Sequence, residues 1–128
     1  MNDMEVKEAY CSKEVCELLK EKGFDIEIPT YTAKYCDIGY GSYWNWNQSS
    51  RLYSCPTHQM ACDWVRKKGW HISVQLSYDD DYNAVYYVTI SSTKTFLGED
   101  IGELDDKYFP TVEEATEEAL KFLLENLI

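Results

Sequence analysis

His71-Ile72-Ser73-Val74-Gln75-Leu76-Ser77-Tyr78, followed by Asp79-Asp80-Asp81-Tyr82-Asn83 and Ala84-Val85-Tyr86-Tyr87-Val88-Thr89-Ile90-Ser91, is the stretch that decides the fold. Ile72, Val74, Leu76 and Tyr78 alternate with His71, Ser73, Gln75 and Ser77, the period of a strand with one apolar face. Tyr86, Val88 and Ile90 repeat that pattern on the return. Residues 79–83 supply the turn. The spacing predicts an antiparallel hairpin with one wet face.

Helical signals flank this hairpin. On its N-terminal side, Ala61, Trp64, Val65 and Lys68 follow helical spacing over residues 57–68. Pro56 or Thr57 opens that helix, and Gly69 closes it. Earlier, Ser12 caps a helix over residues 12–22 whose apolar stripe is Val15, Leu18 and Leu19, with Gly23 as the stop. On the C-terminal side, Thr111-Val112-Glu113-Glu114 has the form of a capping box. Ala115, Ala119, Phe122, Leu123 and Leu127 then share a face, which leaves Glu113, Glu117, Glu118 and Lys121 to solvent.

The remaining segments are less regular. Pro29 interrupts the alternation of residues 26–28, and residues 31–38 read as a strand. Residues 39–50 combine Gly, Ser and Asn with Tyr40, Tyr43, Trp44 and Trp46 and read as an aromatic loop. Residues 51–53 return as a short strand. Residues 93–110 read as a surface connection, pinned to the core by Phe96, Leu97, Ile101, Leu104, Tyr108 and Phe109. The expected order is therefore α-β-β-α-β-β-α. The expected fold is one α+β domain over residues 1–128, with three helices mainly on one face of a small antiparallel sheet of about four strands.

Composition narrows the partners. The 128-residue chain is large enough to bury a core without a disulfide or metal. Its net charge of -11 repels phosphate backbones and anionic membrane surfaces, so neither nucleic acid nor membrane is expected. A basic protein partner, or mimicry of nucleic acid, suits that charge; its simpler role is to keep a small protein in solution. No apolar run approaches a bilayer span, and residues 1–7 lack a signal-peptide segment. The five cysteines are odd in number and not spaced as a secreted scaffold, which points to reduced thiols in the cytoplasm.

Tyr53-Ser54-Cys55-Pro56-Thr57-His58-Gln59-Met60-Ala61 resembles a motif of an uncharacterised family of small proteins from Bacteroides-type gut bacteria and their phages. Cys11-Ser12-Lys13-Glu14-Val15, Leu18 to Phe24, Trp64, Val112 to Ala115 and Leu124 to Ile128 resemble the same family. The resemblance implies an accessory or mobile-element protein and brings no catalytic residue. Cys55 and Cys62 depart from the family pattern, which argues against a cysteine-based function.

Five candidate sites remain. Thr57, His58 and Gln59 stand at the start of a helix, where His58 and Gln59 are placed to hold an anion or carbonyl group; the simpler role is capping and bracing. Cys55, His58 and Cys62, completed by Cys36 or His71, have the residue types of a zinc site, but no CxxC pair is present. Buried thiols are the reading adopted, and no cofactor is expected. A cysteine nucleophile with His58 or His71 lacks an orienting carboxylate. Asp79, Asp81 and Asn83 imitate the start of an EF-hand loop, but Ala84 and Ile90 break the match, so a solvated turn is expected. Tyr40, Tyr43, Trp44 and Trp46 have the composition of a binding surface, or of a lid folded over the sheet.

The expected function is non-enzymatic: a small acidic accessory protein that binds a basic partner, or its own copy, through the aromatic loop and a sheet edge. The alternative is a small-ligand protein or enzyme built on the Thr57, His58 and Gln59 pocket.

Overall fold

Three side-chain caps set the helices. Ser12 Oγ accepts from Val15 N at 3.2 Å at the start of α1 (Lys13–Glu21). Thr57 Oγ1 accepts from Met60 N at 3.2 Å ahead of α2 (His58–Lys67). Thr111 Oγ1 accepts from Glu114 N at 3.1 Å ahead of α3 (Val112–Asn126). Each cap satisfies an N–H that the helix itself leaves open. Gly23 (φ +92°) and Gly69 (φ +108°) follow α1 and α2 in the left-handed region, as their roles as stops require. These features come from a computed structural model that describes residues 8–33, 36–95, 104 and 106–128.

The strands form two sheets rather than one. β1 (Ile28–Ala33) lies between β2 (Cys36–Trp44) and the short β3 (Tyr53–Ser54), all antiparallel. β4 (Trp70–Tyr78) and β5 (Ala84–Ser92) make the second sheet, in register from Trp70↔Ser92 to Tyr78↔Ala84. The order is thus α-β-β-β-α-β-β-α, with a 3-10 turn at Trp46–Gln48 between β2 and β3. The expected four-stranded sheet with helices on one face is corrected accordingly. β4 and β5 pack on α3, with β4 also on α2, whereas β3 packs on α1. One core joins both sheets: Ile28 from β1, Ile72, Val88 and Ile90 from the hairpin, and Val15, Leu19, Val65, Leu120 and Leu123 from the helices. The two ladders differ in regularity. β4–β5 runs without a shift, while β1–β2 shifts register twice, and such shifts bend and twist a strand away from a continuous ladder.

The N-terminal sheet departs most from expectation. The strand expected over residues 31–38 is split between β1 and β2, and residues 34–35 lie outside the described residues. The first half of the expected loop, residues 39–44, belongs to β2, and the 3-10 turn at Trp46–Gln48 lies in the second half. Pro29 does not interrupt: it sits inside β1 where pairing shifts from Ile28↔Trp44 to Thr30↔Tyr40, a break in the ladder that tolerates a missing N–H. Gly39 and Gly41 read as loop punctuation, yet they floor an aromatic stack. A Cβ on Gly39 would stand 2.4–2.7 Å from the Tyr31 ring, and one on Gly41 would stand 3.0 Å from Trp46. The Tyr31 ring is backed by Trp46 at 4.4 Å between centroids, so it has little room to move away. Gly39→Ala is expected to lower stability by about 1–3 kcal/mol, the cost of an overpacked contact. A urea midpoint equal to wild type would contradict this packing.

The C-terminal hairpin carries its apolar face beyond the core. Ile72 is buried, but Leu76 is 52% and Tyr78 63% exposed, so the shared interior ends near Val74. At the tip, Asp79 Oδ1 accepts from Asp81 N and Asn83 N, both at 2.9 Å, which spends that oxygen on the turn. Phe109 exchanges backbone hydrogen bonds with Tyr86 at 2.8 Å before α3 begins. In the connection, Leu104 is buried and Phe109 packs on the core, but Tyr108 is exposed. Phe96, Leu97 and Ile101 lie outside the described residues. Among the described residues, no helix is long and apolar enough to cross a membrane.

Candidate functional site

The segment before α1 runs antiparallel to the start of α2. Cys11 N donates to Pro56 O at 3.0 Å, and His58 N donates to Ala9 O at 2.8 Å. That pairing sets the first residue of α2, His58, beside the cap of α1, Ser12. The second turn of α3 then delivers Glu117 to both. Its Oε1 accepts from His58 Nε2 at 2.7 Å and from Ser12 N at 2.8 Å. An ionised carboxylate only accepts, so the Nε2 position carries the proton of this contact. Burial pushes the Glu117 carboxyl up, but the hydrogen bonds from His58 and Ser12 outweigh it and hold the group below its ordinary value.

These groups line a cleft of about 520 Å3, with Tyr10 and Phe109 as apolar walls and Glu113, Glu114 and Glu118 along α3. Cys11 lies on the core side, 4% exposed, its Sγ 3.9 Å from Thr57 O. Burial first, and the Glu117 charge second, push the Cys11 thiol well up. It is a poor nucleophile in that state, since the thiolate is the reactive form. Cys16 and Cys55 are also buried, and both thiols point at the Cys11 carbonyl, at 3.7 and 3.6 Å.

The sequence-derived site residues separate in space. Thr57 is a buried cap, His58 enters the cleft, and Gln59 is exposed and outside it. His71 accepts from Arg66 Nε at 3.3 Å at the opposite end of α2. Among the described residues, one set of three His, Cys or carboxylate ligand atoms lies within 4.8 Å of one another: Cys11, His58 and Glu117. That set includes neither Cys55 nor Cys62, and the side chain of Cys36 lies outside the described residues. Glu117 is corrected from a solvent residue to the centre of the site. It flanks the buried stripe of Ala115, Thr116, Ala119, Leu120, Leu123 and Leu124, where periodicity alone does not separate a solvated glutamate from a latched one.

The aromatic segment divides. Trp46 turns inward as a lid: its Nε1 donates to Ile28 O at 2.7 Å, and its ring meets Tyr31 and the edge of Trp44. Asn47 secures the following turn, donating to Phe24 O at 2.9 Å and accepting from Ser54 N at 2.8 Å. Tyr40 and Tyr43 stay outside, 70% and 71% exposed, and Trp44 is partly exposed. All three lie on β2, an edge strand among the described residues. Tyr10 lines the cleft, and burial first, with the nearby Tyr40 phenol second, raises its own phenol, so the edge and the cleft adjoin.

No protein-family model, curated protein or solved structure matches this chain. The functional reading therefore rests on the edge, the cleft and the charge.

Proposed function

We propose that this protein is a non-enzymatic binding protein that takes an extended, basic segment of a partner protein along the outer edge of β2. The observation that carries this reading is an edge strand bearing exposed Tyr40, Tyr43 and Trp44. An unpaired edge offers backbone donors and acceptors to an added strand, and the aromatic side chains offer area at low entropic cost. The net charge of -11 favours a basic occupant and speeds its approach. Glu113, Glu114 and Glu118 line the same cleft as Tyr10, which lies close to Tyr40 of that edge, and suit a lysine or arginine reaching into the cleft. Buried free thiols at Cys11, Cys16 and Cys55 suit a reducing, cytoplasmic setting.

Titration with a peptide of alternating Lys and Val, read by Trp fluorescence, tests this. The expected result is saturable binding that weakens with salt, with an alternating Glu and Val peptide failing to bind. The double variant Tyr40→Ser, Tyr43→Ser is expected to bind at least about tenfold more weakly, since interface aromatics commonly contribute more than about 1 kcal/mol each. Equal binding of both peptides, or an unchanged double variant, would overturn the proposal. The cleft around His58 favours a second reading, a small-ligand site, because several polar groups converge there on apolar walls.

A further inference from the structure

We propose that Cys11, His58 and Glu117 form a zinc site at the floor of the cleft, with a fourth coordination position open to it. A soft sulfur, an imidazole nitrogen and a carboxylate oxygen come from three separated points of the chain, and their ligand atoms lie within 4.8 Å of one another. Zinc bonds of about 2.0–2.3 Å place tetrahedral ligand atoms roughly 3.3–3.8 Å apart, so side-chain shifts of the order of 1 Å close the set. The donor chemistry selects among metals. Calcium and magnesium prefer all-oxygen shells, whereas mixed S, N and O donors suit zinc.

The surroundings are those of a held ligand set rather than of surface acids. Cys11 is buried, and the His58 and Glu117 side chains are 13% and 24% exposed. Ser12 N orients Glu117, and Pro56 O fixes the Cys11 backbone, so two of the three ligands are held in place from outside the set. On binding, the metal forms a bond to the Cys11 sulfur and the thiol proton leaves to solvent. The His58 ring adopts the tautomer whose ligating nitrogen is bare, and Glu117 exchanges its His58 contact for the metal. Three protein ligands leave one position for water or a partner's donor group, and the cleft of about 520 Å3 gives it access. Glu113, Glu114 and Glu118 along α3 draw divalent cations toward the cleft and do not themselves ligate in this arrangement.

Cobalt(II), which reports thiolate ligation by a charge-transfer band, is the probe. The metal-free full-length protein is expected to bind one cobalt with that band and tetrahedral d–d absorption, and one equivalent of zinc is expected to abolish both. Cys11→Ser is expected to lose the band. His58→Asn, which leaves every core thiol in place, is expected to weaken binding at least tenfold and serves if Cys11→Ser does not fold. Cys62→Ser is expected to keep the full spectrum. Absence of the band in wild type, or a band lost with Cys62→Ser but retained in His58→Asn, would overturn the site.

Discussion

Leu123→Ala is expected to lower the unfolding free energy by about 3–5 kcal/mol, while Leu76→Ala changes it by less than about 0.5 kcal/mol. The two leucines carry the same side chain on two apolar faces. Leu123 is fully buried, and α3 packs on both β4 and β5 as well as on α1 and α2. Removing its methyl groups loses transfer energy and opens a cavity in the shared core. Leu76 lies beyond the end of the core, half in solvent, and its loss leaves no cavity. Urea denaturation of both variants checks the contrast. A Leu76→Ala loss comparable to that of Leu123→Ala would show that the hairpin tip is covered, by this chain or by a second copy.

That contrast also separates what was legible from what was not. The three helices are read from their caps and stops, which act within a few residues: Ser12 with Gly23, Thr57 with Gly69, and Thr111. The hairpin is read from alternation. How far its apolar face stays covered depends on where α2 and α3 end against it, and alternation has no access to that. The N-terminal sheet is not legible locally, because Pro29 and the glycines of β2 read in sequence as interruption and loop. Pro29 is accommodated by a register shift, and Gly39 is required by a ring arriving from β1. Both are tertiary facts.

Glu117→Ala is the second large expected effect, a loss of about 1–3 kcal/mol, because it strips a partly buried carboxylate from two donors on two other helices. Water entering the cleft replaces part of the loss. Glu117→Gln is expected to lose less at neutral pH, since a neutral amide oxygen still accepts. The pH dependence carries the sign. The folded-state carboxyl titrates below its ordinary value, so its contribution is complete above the unfolded pKa of about 4.3 and fades as pH falls through the lower folded value. The stability difference between wild type and Glu117→Gln is therefore expected to be largest near neutrality and to shrink in acid. A difference that is constant with pH would contradict an ionised Glu117 at the centre of the helix junction.

The site was only partly legible for the same reason. His58 stood out as a histidine at a helix start, and its neighbour Thr57 proved to be the cap. Its partner Glu117 is 59 residues away, and Ser12, which shares that carboxylate, is 46 away; the antiparallel run of Ala9 and Tyr10 beside Thr57 brings Ser12 to His58, and α3 brings Glu117 to both. The aromatic residues were legible as a group, but their division was not. Trp46 is drawn inward by the Ile28 carbonyl, and Tyr40 and Tyr43 are left outside by the direction of β2.

Amide hydrogen exchange along Cys36–Trp44, with and without the Lys and Val peptide, tests the proposed edge most directly. Outward-facing amides of β2 are expected to exchange fast in the free protein and to slow on peptide addition, with β4 and β5 unchanged. Protection already complete in the free monomer, or slowing confined to the β4–β5 hairpin, would contradict it.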